Sequence, residues 1–178
     1  MSDYDSTEDT KQHIKKVQDN IARLFIDIAK RHAGHDASKL ENPEKATFDR
    51  VTPLLRELTY GSDEYSAVLA TMQEALEHHY ANNRHHPEHF RGSATLCAPG
   101  KTDTILGAGM RGMTLVDLLE MFCDWCAATE RHDDGNIGKS IHHNMRRFGF
   151  GETLAQIMVN TAQEYNMGRR SHRAYRPI

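Results

Sequence analysis

The chain has 178 residues, 38% of them hydrophobic, and a formal net charge of −3, enough for one domain with one core and hardly enough for two. The slight acidity excludes a general electrostatic attraction to nucleic acid or to anionic membrane, so nucleic acid is not an expected partner and an anionic ligand has to be caught locally. No apolar run reaches membrane-spanning length, the start MSDYDSTEDT lacks a signal-peptide layout, and three cysteines (Cys97, Cys123, Cys126) are too few for a disulfide scaffold; the expected location is the cytoplasm, with no membrane partner.

Periodicity predicts an all-α fold: a single-domain bundle of five to seven helices over 1–178, with flexible tails at 1–9 and 168–178. In residues 10–32 the apolar positions Ile14, Val17, Ile21, Leu24 and Ile28 alternate at spacings of three and four, the mark of one buried stripe. Gly34 ends that helix. A second helix opens at Asn42-Pro43, is weakened or kinked at Pro53, and stops near Leu58. Gly61-Ser62-Asp63 caps a third, which runs to about residue 82. Residues 91–113 hold five of the twelve glycines and no period, so they read as a long loop. Thr114 with Asp117 is a capping-box-like start for a fourth helix ending near Arg131. Two shorter helices follow, over 136–148 and 151–165.

Some motifs fail on inspection. Gly100-Lys101-Thr102 resembles the end of a phosphate-binding loop, but Thr95 stands where that loop needs glycine and no strand precedes it. Cys123-Asp124-Trp125-Cys126 is a lone CxxC, best read as two thiols packed in a helix. The basic tail from Arg169 to Arg176 is assigned no function.

Twelve histidines stand out in this composition, seven of them bunched as His32/His35 and His78/His79/His85/His86/His89. On the third helix the stripe Tyr65, Leu69, Met72, Leu76 continues at the same spacing to His79, which therefore faces inward. His13 lies on the edge of the first helix's stripe, within reach of the core rim.

His13, then the pair His35-Asp36 after a helix, then Asp124 on a later helix resembles the HD-domain metallohydrolase superfamily, in which a helical bundle holds a metal with a histidine, a His-Asp pair and a distant aspartate. His35-Asp36-Ala37-Ser38-Lys39 is similar to that superfamily's HD-x-G-K run, with Ser38 in place of glycine. His78-His79 followed by Asn83-Arg84-His85-His86-Pro87-Glu88 resembles the segment that supplies extra histidines in two-metal members. The chain also resembles, over most of its length, a group of small bacterial and phage proteins sharing an H-x-x-x-N-x-H-H-P-E run, here His79 to Glu88, which implies no activity.

The resemblance implies one or two divalent transition ions (Mn, Fe, Co or Ni) held by His13, His35, Asp36 and Asp124, with His79 and either His85 or His86 on a second ion. With His86 as the ligand, His85 faces the substrate. Mixed imidazole and carboxylate ligands suit such ions, and open positions let them activate water. Asp36 and Lys39 are then the catalytic pair, with Lys39 holding a phosphate oxygen, and Lys139, Arg146 and Arg147 are either an exposed basic helix face or cations that clamp phosphates. The implied activity is a metal-dependent phosphohydrolase acting on a nucleotide, a deoxynucleoside mono- or triphosphate. The alternatives are a di-iron oxygenase and a non-catalytic nucleotide or metal sensor. The state of association is open, a homo-oligomer included. On the fourth helix the apolar face Leu115, Leu118, Leu119, Phe122 and Cys126 puts Asp124 nearly opposite, with Asp117 and Glu120 nearby. Left to itself this wheel reads as a solvated acidic face, and the ligand role demands a second buried side around Asp124.

Overall fold

The structure is a computed structural model of the chain, which describes residues 4–59, 62–90, 108–131 and 135–168. The fold is all-α: the described residues form eight α-helices and two 3₁₀ turns, and no strand. By their contacts the residues cluster into two units, Met1–His35 and Asp36–Ile178.

The first unit is one helix, α1 (Thr7–Gly34), which starts three residues inside the segment expected to be a flexible tail. Asp5 ties down its start, accepting hydrogen bonds from the Thr7 amide at 3.0 Å and the Thr7 hydroxyl at 2.6 Å. Glu8 and Asp9 in the first turn and Arg31 and His32 in the last complement the helix dipole. The expected stripe is present, and no residue of α1 is buried.

The second unit opens with Asp36 in the left-handed backbone region (φ 54°), a conformation that aspartate tolerates better than most residues. A 3₁₀ turn, Ala37–Leu40, and α2 (Glu44–Arg56, with Pro53 inside) follow. The expected third helix is two, α3 (Asp63–Ala70) and α4 (Gln73–Asn82). At the break, Thr71 and Met72 donate to Val68 and Leu69 three residues back, and the Thr71 hydroxyl bonds the Val68 carbonyl at 2.7 Å. Such local side-chain bonding competes with the α-helical ladder. The tightened turn puts Met72 in the core, at 1% exposure.

After the 3₁₀ turn Pro87–Phe90, residues 91–107 of the expected loop lie outside the described residues, while its end is helical: α5 (Ala108–Gly112). This short helix packs directly on the Pro87–Phe90 turn, and a Cβ at Gly109 would stand 2.4 Å from the Pro87 carbonyl oxygen, so glycine is required there. Three helices complete the unit: α6 (Leu115–Thr129), α7 (Ile137–Phe148) and α8 (Glu152–Glu164). The expected capping box is present, with the Thr114 hydroxyl accepting from the Asp117 amide and the Asp117 carboxylate from the Thr114 amide. Asn136 caps α7, and Gly149, left-handed at φ 68°, ends it.

The core joins α6, α7 and α8 through Met121, Phe122, Cys126, Ile137, Ile141, Ala155, Met158 and Ala162. Burying each of the large side chains contributes about 1.5–3 kcal/mol. Of the two CxxC thiols only Cys126 is buried, and burial pushes its pKa up to about 12, as expected of an inert core thiol; Cys123 is exposed, a correction to the paired-packing expectation. Both faces of α6 are engaged. Leu115 and Leu119 of the presumed inward face are exposed, whereas Asp117 and Glu120 of the presumed solvated face are buried.

Candidate metal centre

Four side chains of the second unit converge: Asp36, His79, His85 and His86 place one ligand atom each within 4.8 Å of all the others. Asp36 enters from the left-handed residue ahead of the first 3₁₀ turn, His79 from the last turn of α4, and His85 and His86 from the short connection to the second 3₁₀ turn.

Buried carboxylates back two of the imidazoles. Glu44, in the first turn of α2 and fully buried, accepts from His79 Nδ1 at 2.8 Å and from His78 Nδ1 at 2.7 Å. Burial pushes the Glu44 carboxyl up, but hydrogen bonds from His78, Ser38 and His79 outweigh it and hold it below its usual range. Glu44 is therefore ionised, the His79 proton sits on Nδ1, and Nε2 presents a lone pair to the cluster. Glu120 of α6 stands 3.2 Å from His85 Nδ1, and Nε2 of the same ring is 3.5 Å from Asp36 Oδ1. A carboxylate behind an imidazole is the usual support of a metal-binding histidine.

On the inner side, His79 Nε2 is 2.8 Å from His86 Nε2, and Asp36 Oδ1 lies 3.4 Å from His79 Nε2 and 3.5 Å from His85 Nε2. Ligand atoms bonded at 2.0–2.2 Å to one ion stand about 2.8–3.6 Å apart, from right-angled to tetrahedral arrangements. Two ring nitrogens as close as those of His79 and His86 cannot oppose lone pairs; a proton or a cation has to lie between them. Burial, then the neighbouring His85 and His79, pushes the His86 pKa down to about 2, and burial followed by the charge of Lys39 lowers that of His79. Neutral imidazoles with one carboxylate are the donor set of a divalent transition ion, so the residues fit such an ion.

The surroundings hold this geometry. The Asn83 amide donates to Ser38 Oγ and to the His79 carbonyl, both at 2.8 Å, joining α4 to the Asp36 turn. Arg84 clamps the buried Asp117 of α6 through two bonds of 3.1 and 3.0 Å, and Arg147 of α7 holds Glu88 at 2.8 Å. Lys39 Nζ is 2.5 Å from Asp36 Oδ2, so the two carboxylate oxygens are divided between the lysine and the histidines. The side chains of His79 and His85 are 2% and 1% exposed, against 19% for Asp36 and 34% for Lys39; the centre is open on the Asp36–Lys39 side.

The expected site residues thus divide. Asp36, His79, His85 and His86 are brought together, so His85, expected at the substrate, stands among the groups that could hold an ion. Asp124, half-buried on α6, has a carboxylate oxygen within 4.8 Å of one of Asp36. His13 does not share an ion with His35. The two lie at opposite ends of α1, and 22 positions at 1.5 Å per residue put them about 33 Å apart. His13 is exposed on α1; His35, the last residue of the first unit, is next in the chain to Asp36. Lys139 and Arg146 are exposed on α7; Arg146 lines a cleft of about 550 Å³ with Arg111 and Phe148, and none of the four clustered residues lines it.

Sequence reasoning missed Glu44 and Glu120. Glu44 looks like an ordinary acid at a helix start. Glu120 carried a signal: Asp117, Glu120 and Asp124 repeat at three and four, the spacing of a buried stripe, but in acidic residues. No curated protein and no solved structure matches the chain. The model of the Family of unknown function (DUF5662) matches residues 2–166, nearly the whole length that carries the histidine cluster, and the chain belongs to that family.

Proposed function

We propose that this protein is a metal-dependent phosphohydrolase that acts in the cytoplasm on a phosphorylated small molecule, a nucleotide first among them. The observation that carries this reading is the convergence of three imidazole nitrogens and the Asp36 carboxylate, with ionised Glu44 behind His79 and Glu120 behind His85.

Asp36, His79, His85 and His86 would hold the ion. Once bound, it supplies Lewis acidity, polarising a phosphoryl oxygen and acidifying water at neutral pH. Glu44 and Glu120 fix the ring orientations and raise the basicity of the ligands. Lys39, on the open side and bonded to Asp36, orients that carboxylate and carries the positive charge nearest an incoming phosphate. A core of this size does not need a metal to fold, which favours chemistry over a structural role.

The test is metal analysis of protein purified without chelator, then a phosphate-release screen across nucleotides. The expected result is close to one equivalent of Mn, Fe, Co or Ni per chain and metal-dependent release from at least one nucleotide. Lys39→Ala should keep the ion and lose turnover. A tightly held zinc without turnover would make the centre structural, since four protein ligands close a tetrahedral site. Two irons and oxygen consumption would replace hydrolysis with the oxygenase alternative.

A further inference from the structure

A cleft of about 550 Å³ is lined by α5, the first turn of α6, the end of α7 and the start of α8, all within the second unit, and by none of Asp36, His79, His85 and His86. Small-molecule sites have volumes of about 300–1,000 Å³. One wall is set by local sterics. A Cβ at Gly109 would meet the Pro87 carbonyl and one at Gly112 would stand 2.8 Å from the Phe90 side chain, so these positions, three apart, seat α5 on the Pro87–Phe90 turn. Met110, Arg111 and Met113 are left to line the cleft.

The apolar part of the lining is aliphatic in what it offers. Met110, Met113, Leu115, Leu118 and Leu154 contribute to it. Phe148 and Phe150 do too, but both rings are stacked on Trp125, at 6.2 and 6.3 Å between centroids, and the Arg147 guanidinium lies over Phe148 at 4.7 Å. With these aromatic faces engaged, methionine and leucine suit a flexible chain better than a flat ring. The charged part has one sign: three arginines and no acidic residue line the cleft, in a chain whose net charge is −3. Glu88 balances Arg147 at 2.8 Å. Arg111 and Arg146 are exposed and have no carboxylate within ion-pair distance among the described residues. Two uncompensated guanidiniums beside an aliphatic surface complement an anion with an aliphatic body.

We propose that this cleft is a ligand site distinct from the metal centre and takes a small amphipathic anion, an aliphatic chain ending in a phosphate or carboxylate. The chain lies against Met110, Met113, Leu118 and Leu154, and Arg111 and Arg146 hold the head group. The proposal does not rest on the reading of the metal centre, with which the cleft shares no residue.

Trp125 is the single tryptophan of the chain and stacks on two of the lining rings, so its fluorescence reports occupancy. Octyl phosphate and octanoate, titrated into the full chain below their micellar concentrations, should each give a saturable change, with one site per chain by calorimetry. Inorganic phosphate lacks the chain and octyl glucoside lacks the charge; each should bind at least about tenfold more weakly than octyl phosphate. Arg111→Ala combined with Arg146→Ala should weaken octyl phosphate binding at least about tenfold and leave melting temperature and metal content unchanged, because both side chains are exposed. Leu115→Glu, at a position 74% exposed in the first turn of α6 where an acid is tolerated, should weaken it as well by placing a like charge in the cleft. No saturable binding at millimolar probe, binding unchanged in the arginine variant, or inorganic phosphate or octyl glucoside binding as tightly as octyl phosphate would each overturn the proposal. Release of phosphate from octyl phosphate that is lost in the arginine variant would overturn it too, by making the cleft part of the metal centre.

Discussion

Replacing Glu44 by Gln tests whether the buried carboxylate behind His79 is part of the metal centre or only of the core. Glu44 accepts from two rings, His78 and His79, and lies wholly out of solvent. Gln keeps the volume but has one acceptor oxygen and no charge. The His78 side chain is 40% exposed and can exchange this bond for water, while that of His79 is 2% exposed and cannot. The amide oxygen should therefore go to His79, preserving its tautomer and removing only the electrostatic support. Losing a partner of this kind costs about 10–100-fold in metal affinity, or about 1.4–2.7 kcal/mol. Glu44→Gln should fall near the lower end and Glu44→Ala near the upper. The alanine variant also leaves a cavity and two unmatched rings, and should lose about 2–4 kcal/mol of metal-free stability. The assay is competition for the ion against a chelating indicator, with calorimetric unfolding of the metal-free protein alongside. If both variants bind within twofold of the unaltered protein while His86→Ala loses the ion, Glu44 does not support the centre and the reasoning fails.

Asp36→Asn, which keeps the shape and tolerates the left-handed backbone, should lower metal affinity by more than about a hundredfold with little change in melting temperature; retention of the ion would remove Asp36 from the ligand set. Metal-free stability should fall with pH below about 6.5, because an unfolded histidine takes up its proton near that value. In the folded protein the His86 pKa is about 2 and that of His79 is also lowered, so the unfolded state binds more protons as pH falls. The slope is up to about 1.4 kcal/mol per pH unit for each histidine, and a flat profile from pH 6.5 to 5 in denaturant titrations would contradict it. Gly109→Ala should strain the packing of α5 on the Pro87 carbonyl, costing about 1–3 kcal/mol, or about 2–10 °C in Tm for a domain of this size; an unchanged melting temperature would show that α5 yields freely.

The sequence alone determined what depends on neighbours in the chain. The helical class, the capping box of Thr114 and Asp117, the stop after Phe148 and the inward direction of His79 all follow from spacings of three and four and from local hydrogen bonding. Local rules also mark their own limits, for the break at Thr71–Met72 is a competition between a hydroxyl bond and the helix ladder that propensity does not resolve. Only the tertiary structure decided which chemistry meets. Asp36 reaches the histidines through a left-handed residue and a 3₁₀ turn, and no periodicity announces that path. A helical wheel assigns one inward face, so it turned Asp117 and Glu120 to solvent, whereas α6 is packed on both sides and buries them against Arg84 and His85. The chain order of His13 and His35 suggested a shared ion, but a continuous helix keeps its two ends apart by its own length. His85 and His86 are adjacent, and spacing alone makes them alternatives; irregular backbone between α4 and the Pro87–Phe90 turn lets both rings point to one centre, which a strand, with its alternating faces, does not allow for neighbouring residues.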